Sequence, residues 1–145
     1  MRLKGLHHAR FAVTDLDKTE RFATDFGLKT VKREPGRLFM RTDGGDAYCY
    51  VAEQAAARGF TGLAFSVEGV GDLEEAIARH GASPIRDLDG PGGGKAVTLI
   101  DPEGLAFDLV CDIADEAPGD APPRLALNTP GAMVRFDVAQ SQRAR

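Results

Sequence analysis

The chain has no tryptophan, only two tyrosines and only two cysteines among its 145 residues. Cys49 and Cys111 stand alone, whereas a disulfide framework or a thiolate metal centre needs clustered, regularly spaced cysteines. They read as reduced structural thiols. No apolar run approaches the roughly 20 residues that a membrane-spanning helix requires, and residues 1–11 lack the apolar core of a signal peptide. Cations are short as well: 18 Lys and Arg stand against 22 Asp and Glu, a net charge of −4 with no basic block. Phosphate backbones are bound by clustered cations, so nucleic acid is not an expected partner. The composition therefore points to a cytoplasmic protein that engages neither nucleic acid nor membrane.

What is present is a core. A hydrophobic content of 43% at this length supports one compact domain. Residues 6–13 alternate apolar and polar and stop at Thr14-Asp15, the pattern of a strand followed by a helix N-cap. The helix continues to Phe26, with Leu16, Phe22, Ala23 and Phe26 on its apolar side, and Gly27 is placed to end it in a left-handed cap. Short strands follow at 28–32, 37–41 and 47–52, punctuated by Pro35-Gly36 and Asp43-Gly44-Gly45. The order is βαβββ.

The same order then starts again. Phe65 and Val67 repeat Phe11 and Val13 at an offset of 54 positions, and that offset also carries Gly27 onto Gly81 and Val31 onto Ile85. The second helix is expected at 72–80, with strands at 84–88, 95–100 and 105–110. Agreement of strand, helix stop and next strand marks a duplicated unit, 5–53 and 59–111, within a domain 1–111. Residues 112–145 turn Pro-, Ala-, Asp- and Gly-rich and read as an arm or connector. The run "GPGGGK" at 90–95 looks like a phosphate loop, but it precedes a strand rather than a helix, so a hairpin turn is the better reading.

Two stretches, "HARFAVTDL" at 8–16 and "DPEG" at 101–104, carry a resemblance. The first resembles H-x-x-L-x-V-x-D-L, and the second the D-P-D/E-G turn before the last strand, of the vicinal oxygen chelate superfamily. That superfamily holds glyoxalase I, the fosfomycin and bleomycin resistance proteins and the type I extradiol ring-cleaving dioxygenases. The resemblance implies an α+β fold, with tandem βαβββ units forming a cupped mixed sheet and the helices outside. The arm, with "PRLALNTPGAMVRFDV", is similar to the connector between the two halves of an extradiol dioxygenase.

Given such a cup, strand alternation assigns faces. His7, Ala9, Phe11 and Val13 are expected under the helix, and Leu6, His8, Arg10 and Ala12 in the cavity. Gly62, Ala64 and Ser66, then Ala106, Asp108 and Val110, should face inward too, as should Tyr48 and Tyr50. The resemblance places metal-ligand corners at His8, Tyr50, Gly62 and Asp108. Of these, His8 and Asp108 are the candidate metal ligands, an incomplete set because Gly62 has no side chain and a facial triad needs three donors. The plainer reading has His8 hydrogen-bonded to Asp108 or Tyr50, and Asp108 paired with Arg10 or His8. Arg10, Arg41, Tyr48 and Tyr50 are candidate binding residues for a flat, partly anionic ligand.

By resemblance the chain is expected to be a module like the amino-terminal, metal-free half of an extradiol dioxygenase, not catalytic alone. The alternative is a small-molecule binding protein of the bleomycin-resistance kind, and a third reading is an active glyoxalase- or dioxygenase-type metalloenzyme. No cofactor is expected, or at most one divalent metal, Fe, Mn, Ni or Zn. The partners implied are a small aromatic or vicinal-oxygen ligand and either a second copy, as a dimer, or a carboxy-terminal half of the same fold.

Overall fold

The computed structural model describes residues 1–117. They form ten elements: β1 (Leu3–Val13), α1 (Leu16–Asp25), β2 (Lys29–Glu34), β3 (Arg37–Arg41), β4 (Tyr50–Gln54), β5 (Gly59–Val67), α2 (Val70–His80), β6 (Arg86–Asp87), β7 (Lys95–Ile100) and β8 (Ala106–Cys111). The eight strands make one open mixed sheet in the order β2-β3-β4-β1-β5-β8-β7-β6. The second half mirrors the first: β1 pairs parallel with β4, β5 pairs parallel with β8, and β1 meets β5 antiparallel at the centre. This is the α+β, tandem βαβββ architecture that the repeat and the two motifs imply.

Local chemistry sets the helix ends. Asp15 caps α1, its carboxylate accepting the Lys18 N–H at 3.0 Å, which satisfies one of the helix's free donors. Gly27 at φ 108° and Gly81 at φ 67° follow α1 and α2 in the conformation that suits glycine. Leu73 and Ala76 of α2 pack on Val67, Val97 and Leu109 of the sheet. Leu16 and Ala23 of α1 pack on Leu38, Met40 and Ala52 of the sheet. Only Leu16 and Ala23 of the expected apolar side of α1 are buried. Phe22 and Phe26 are 71% and 67% exposed and stack on one another, ring centroids 6.2 Å apart.

The other face of the sheet is also packed. Phe39, Ala47, Tyr48 and Val51 form one cluster and Ala64, Ala96 and Val110 another, and Ile113 touches both. Ile113 gets there because residues 112–117 leave β8 and cross the concave side. Ala114 N–H donates to Gly92 O at 3.0 Å, and Glu116 N–H donates to Gly45 O at 2.8 Å. The glycines of 90–95 make room for this strap: a Cβ on Gly94 would sit 2.6 Å from Ile113 Cγ1, and one on Gly92 would sit 2.7 Å from Ala114 O. Close approach, not phosphate binding, accounts for that run. The rest of the expected arm, 118–145, lies outside the described residues.

Candidate functional site

His7 and His8 share one face, contrary to simple alternation. The β1–β5 ladder pairs Leu6 with Phe65 and His8 with Ala64, so His7 is an extra residue in a β-bulge. The bulge turns His7 away from the helix side that strict alternation assigns to it. Both imidazoles are buried, and their Nδ1 atoms lie 2.8 Å apart, so one ring donates Nδ1–H to the bare Nδ1 of the other. Tyr48 packs against both, ring centroids 5.1 Å from His7 and 4.8 Å from His8. Burial pushes His8 down to about 3, with His7 and Arg10 adding to the effect, and burial lowers His7 as well. The pair is therefore neutral at physiological pH. The buried Tyr48 phenol is pushed up to about 12, with the Asp108 carboxylate adding to the effect of burial, and stays protonated.

Two residues further along β1, Arg10 reaches Asp108. This carboxylate is 2% exposed: it accepts from Arg86 Nη2 at 2.8 Å on Oδ2 and from Thr98 Oγ1 at 2.6 Å on Oδ1, and it forms an ion pair with Arg10, whose Nη1 is 3.1 Å from Oδ2. The Asp108–Arg10 pairing matches one of the two sequence expectations. Its other expected partner, His8, is held by His7 instead. Arg86 and Thr98 were not among the candidates. Thr98 was within reach, because the turn after Asp101 sets a hairpin register that places Thr98 opposite Asp108. Arg86 sits on a two-residue strand and gives no periodic signal.

Gly62 is opposite Arg10 in the β1–β5 ladder. Its φ is +145°, and a Cβ there would stand 2.5 Å from Ala106 O and 3.0 Å from Arg10 Nη2. A guanidinium thus occupies the corner to which the resemblance assigns a third ligand. Tyr50, expected inward, is on the other face: it joins the α1 cluster and stacks on Phe11 with ring centroids 5.3 Å apart. The strand begins at Tyr50, and the irregular backbone before it lets Tyr48 alone turn into the cup. Arg41 is drawn to the strap, donating from Nη2 to Ala117 O at 2.9 Å, with Glu116 nearby.

A divalent ion fits this donor set poorly. Of the four corners, one histidine has its Nδ1 turned to its neighbour, one carboxylate is saturated by two cations and a hydroxyl, one position is a glycine covered by an arginine, and the tyrosine is on the far side of the sheet. Among the described residues no group of three or more His, Cys, Asp or Glu side chains is placed to hold a metal. His8 is also a poor base, since an imidazole pushed down to about 3 accepts protons weakly at neutral pH. Among the described residues no helix is long and apolar enough to cross a membrane.

Comparisons with known proteins agree with this architecture. The Mn(II)-bound glyoxalase from Novosphingobium aromaticivorans superposes with a TM-score of 0.75 at 22% identity, over 84% of this chain and 43% of that one. An extradiol ring-cleaving dioxygenase from B. fuscum gives a TM-score of 0.69 at 21% identity, over 78% of this chain and 34% of that one. Homoprotocatechuate 2,3-dioxygenase from Brevibacterium fuscum, in complex with 3,4-dihydroxyphenylacetate, gives 0.71 at 19%, over 80% and 39% respectively. At these identities the likeness is one of fold, and the chain spans less than half the length of each. No curated protein matches its sequence. The family model that matches residues 5–109 is the Glyoxalase/Bleomycin resistance protein/Dioxygenase superfamily, and the chain belongs to it.

Proposed function

We propose that this chain is a metal-free vicinal oxygen chelate half, 1–111 with a connector from 112, that acts in the cytoplasm as the packing partner of a second such half. The arrangement would be that of the amino-terminal portion of an extradiol dioxygenase, whose catechol-type substrate and metal would then belong to the other half. One observation carries this reading: the ligand corners are filled by internal partners, with Arg10 over Gly62 and Asp108 held between Arg10 and Arg86. The bleomycin-resistance-like alternative has less support, because the candidate binding residues do not converge: Tyr50 is on the helix side of the sheet and Arg41 is drawn to the strap. Large apolar side chains left exposed, among them Leu6, Phe22, Phe26 and Ile100, suit a chain that packs against another half.

Elemental analysis of protein purified without chelator or metal affinity resin tests the reading. The expected result is a trace of Fe, Mn, Ni and Zn far below one equivalent. One equivalent of any of them per chain, lost in Asp108→Asn, would restore the metalloenzyme reading.

A further inference from the structure

The residues that fill the ligand corners carry a charge of their own. Arg10 and Arg86 approach the same atom, Asp108 Oδ2, at 3.1 and 2.8 Å, so two guanidiniums share one carboxylate. Two guanidiniums against one carboxylate leave the cluster with one positive charge in excess. The carboxylate is sealed, its side chain 3% exposed, whereas the Arg10 and Arg86 side chains are 23% and 40% exposed, so the cationic side of the cluster faces outward. Each arginine also has a spare donor. Among the described residues, Arg10 Nε and Arg86 Nη1 are buried with no hydrogen-bond partner. A guanidinium presents five N–H donors in a planar fork suited to oxyanions, and a buried donor left without an acceptor is costly. Nothing in the sheet supplies the missing acceptors.

We propose that Arg10 and Arg86 form an oxyanion-binding site at the former metal corner, taking a carboxylate or phosphate group between the two guanidiniums with Asp108 as their internal counterion. The site inverts the family's electrostatics, since a cup that would attract a cation instead accepts an anion. Asp108 competes with the ligand for the same donors and sets how tightly it is held. The relevant group is the carboxylate of a small acid or a phosphate ester, and the shape preference between planar and tetrahedral anions separates these two sources.

The test is an NMR titration of the intact chain with sodium acetate and, separately, inorganic phosphate at constant ionic strength, following the arginine Nε–H signals. Anion binding shifts the Arg10 Nε–H resonance with a saturating curve. Arg86→Gln weakens binding about tenfold, the worth of one charge-assisted hydrogen bond, while Lys95→Gln on the neighbouring strand leaves it unchanged. Asp108→Asn, by freeing both guanidiniums, strengthens it. If Asp108→Asn fails to fold, Arg86→Gln carries the test alone, because Arg86 is partly exposed and Asp108 keeps Arg10 and Thr98. A tighter curve for acetate assigns a carboxylate ligand, and one for phosphate assigns a phosphate. Absence of any saturating shift, equal affinity in Arg86→Gln, or weaker binding in Asp108→Asn overturns the proposal. A parallel Mn(II) titration that broadens the His8 and Thr98 signals would refute the metal-free reading independently of the anion result.

Discussion

At Gly62 the backbone conformation and the crowding act in the same direction. A side chain there meets the Ala106 carbonyl and the Arg10 guanidinium while holding φ at +145°. Gly62→Ala is expected to lower stability by about 2–4 kcal/mol, read as the shift in urea midpoint at unchanged slope. Gly62→His, which would add a donor at the corner the resemblance marks as a ligand position, should lose at least as much and gain no metal, because the first atom it meets is the Ala106 carbonyl oxygen. The histidine pair makes a second prediction. Both are buried neutral, so their folded-state pKa lies below the unfolded value near 6.5. Stability from the neutral pair is complete above about pH 6.5 and is lost as pH falls from there toward the folded values, which for His8 is near 3, with a slope of at most about 1.4 kcal/mol per pH unit per histidine. Between pH 7.5 and 5, before the carboxylates titrate, the protein should lose about 2–4 kcal/mol, and His8→Gln should remove about 2 kcal/mol of that loss. Equal losses in the two proteins would show that His8 does not titrate on unfolding.

The elements themselves were legible because each carries a local rule. Asp15 and Gly27 bracket α1 and Gly81 ends α2, while the Asp101–Gly104 turn fixes the last hairpin. The faces were less legible. Alternation puts His8, Arg10, Ala64 and Asp108 in the cup as found, but a bulge at His7 and the irregular entry to β4 at Tyr50 break the count, and neither leaves a mark in a single sequence. The strap was hidden for a different reason: residues 112–117 look like a linker by composition, and only Ile113 does core work. Ile113→Ala should therefore cost about 1–3 kcal/mol despite the residue's partial exposure, since it removes the contact between two clusters. A matched pair of glycine changes checks the strap from the other side. Gly93→Ala meets nothing within 4 Å, whereas Gly94→Ala runs into Ile113 and the Cys111 carbonyl, and both have positive φ. The second should be the more damaging by about 1 kcal/mol or more in the same unfolding assay. Equal costs would mean that the strap does not hold its place in solution.

Across the whole molecule, the two units are one folding body rather than two beads. Their central strands β1 and β5 run antiparallel along most of their length, and Arg37 of the first unit grips Asp89 of the second through Nη1 at 3.0 Å and Nη2 at 2.9 Å. The Arg37–Asp89 pair contributes little by itself, because Asp89 is largely exposed and surface ion pairs are worth at most about 1 kcal/mol. The coupling comes from the shared sheet, since separating the units would leave β1 and β5 as bare inner edges. The placement of aromatic residues makes this measurable. With no tryptophan and both tyrosines in the first unit, near-ultraviolet circular dichroism reports largely on Tyr48 and Tyr50, while Leu73 sits fully buried on the inner side of α2 in the second. Leu73→Ala, costing about 2–5 kcal/mol, should lower the tyrosine transition and the far-ultraviolet helix transition to the same new midpoint. If the tyrosine midpoint stayed at its original value while the helix signal moved, the units would be unfolding independently, and a single eight-stranded sheet would be the wrong description of what holds the fold together.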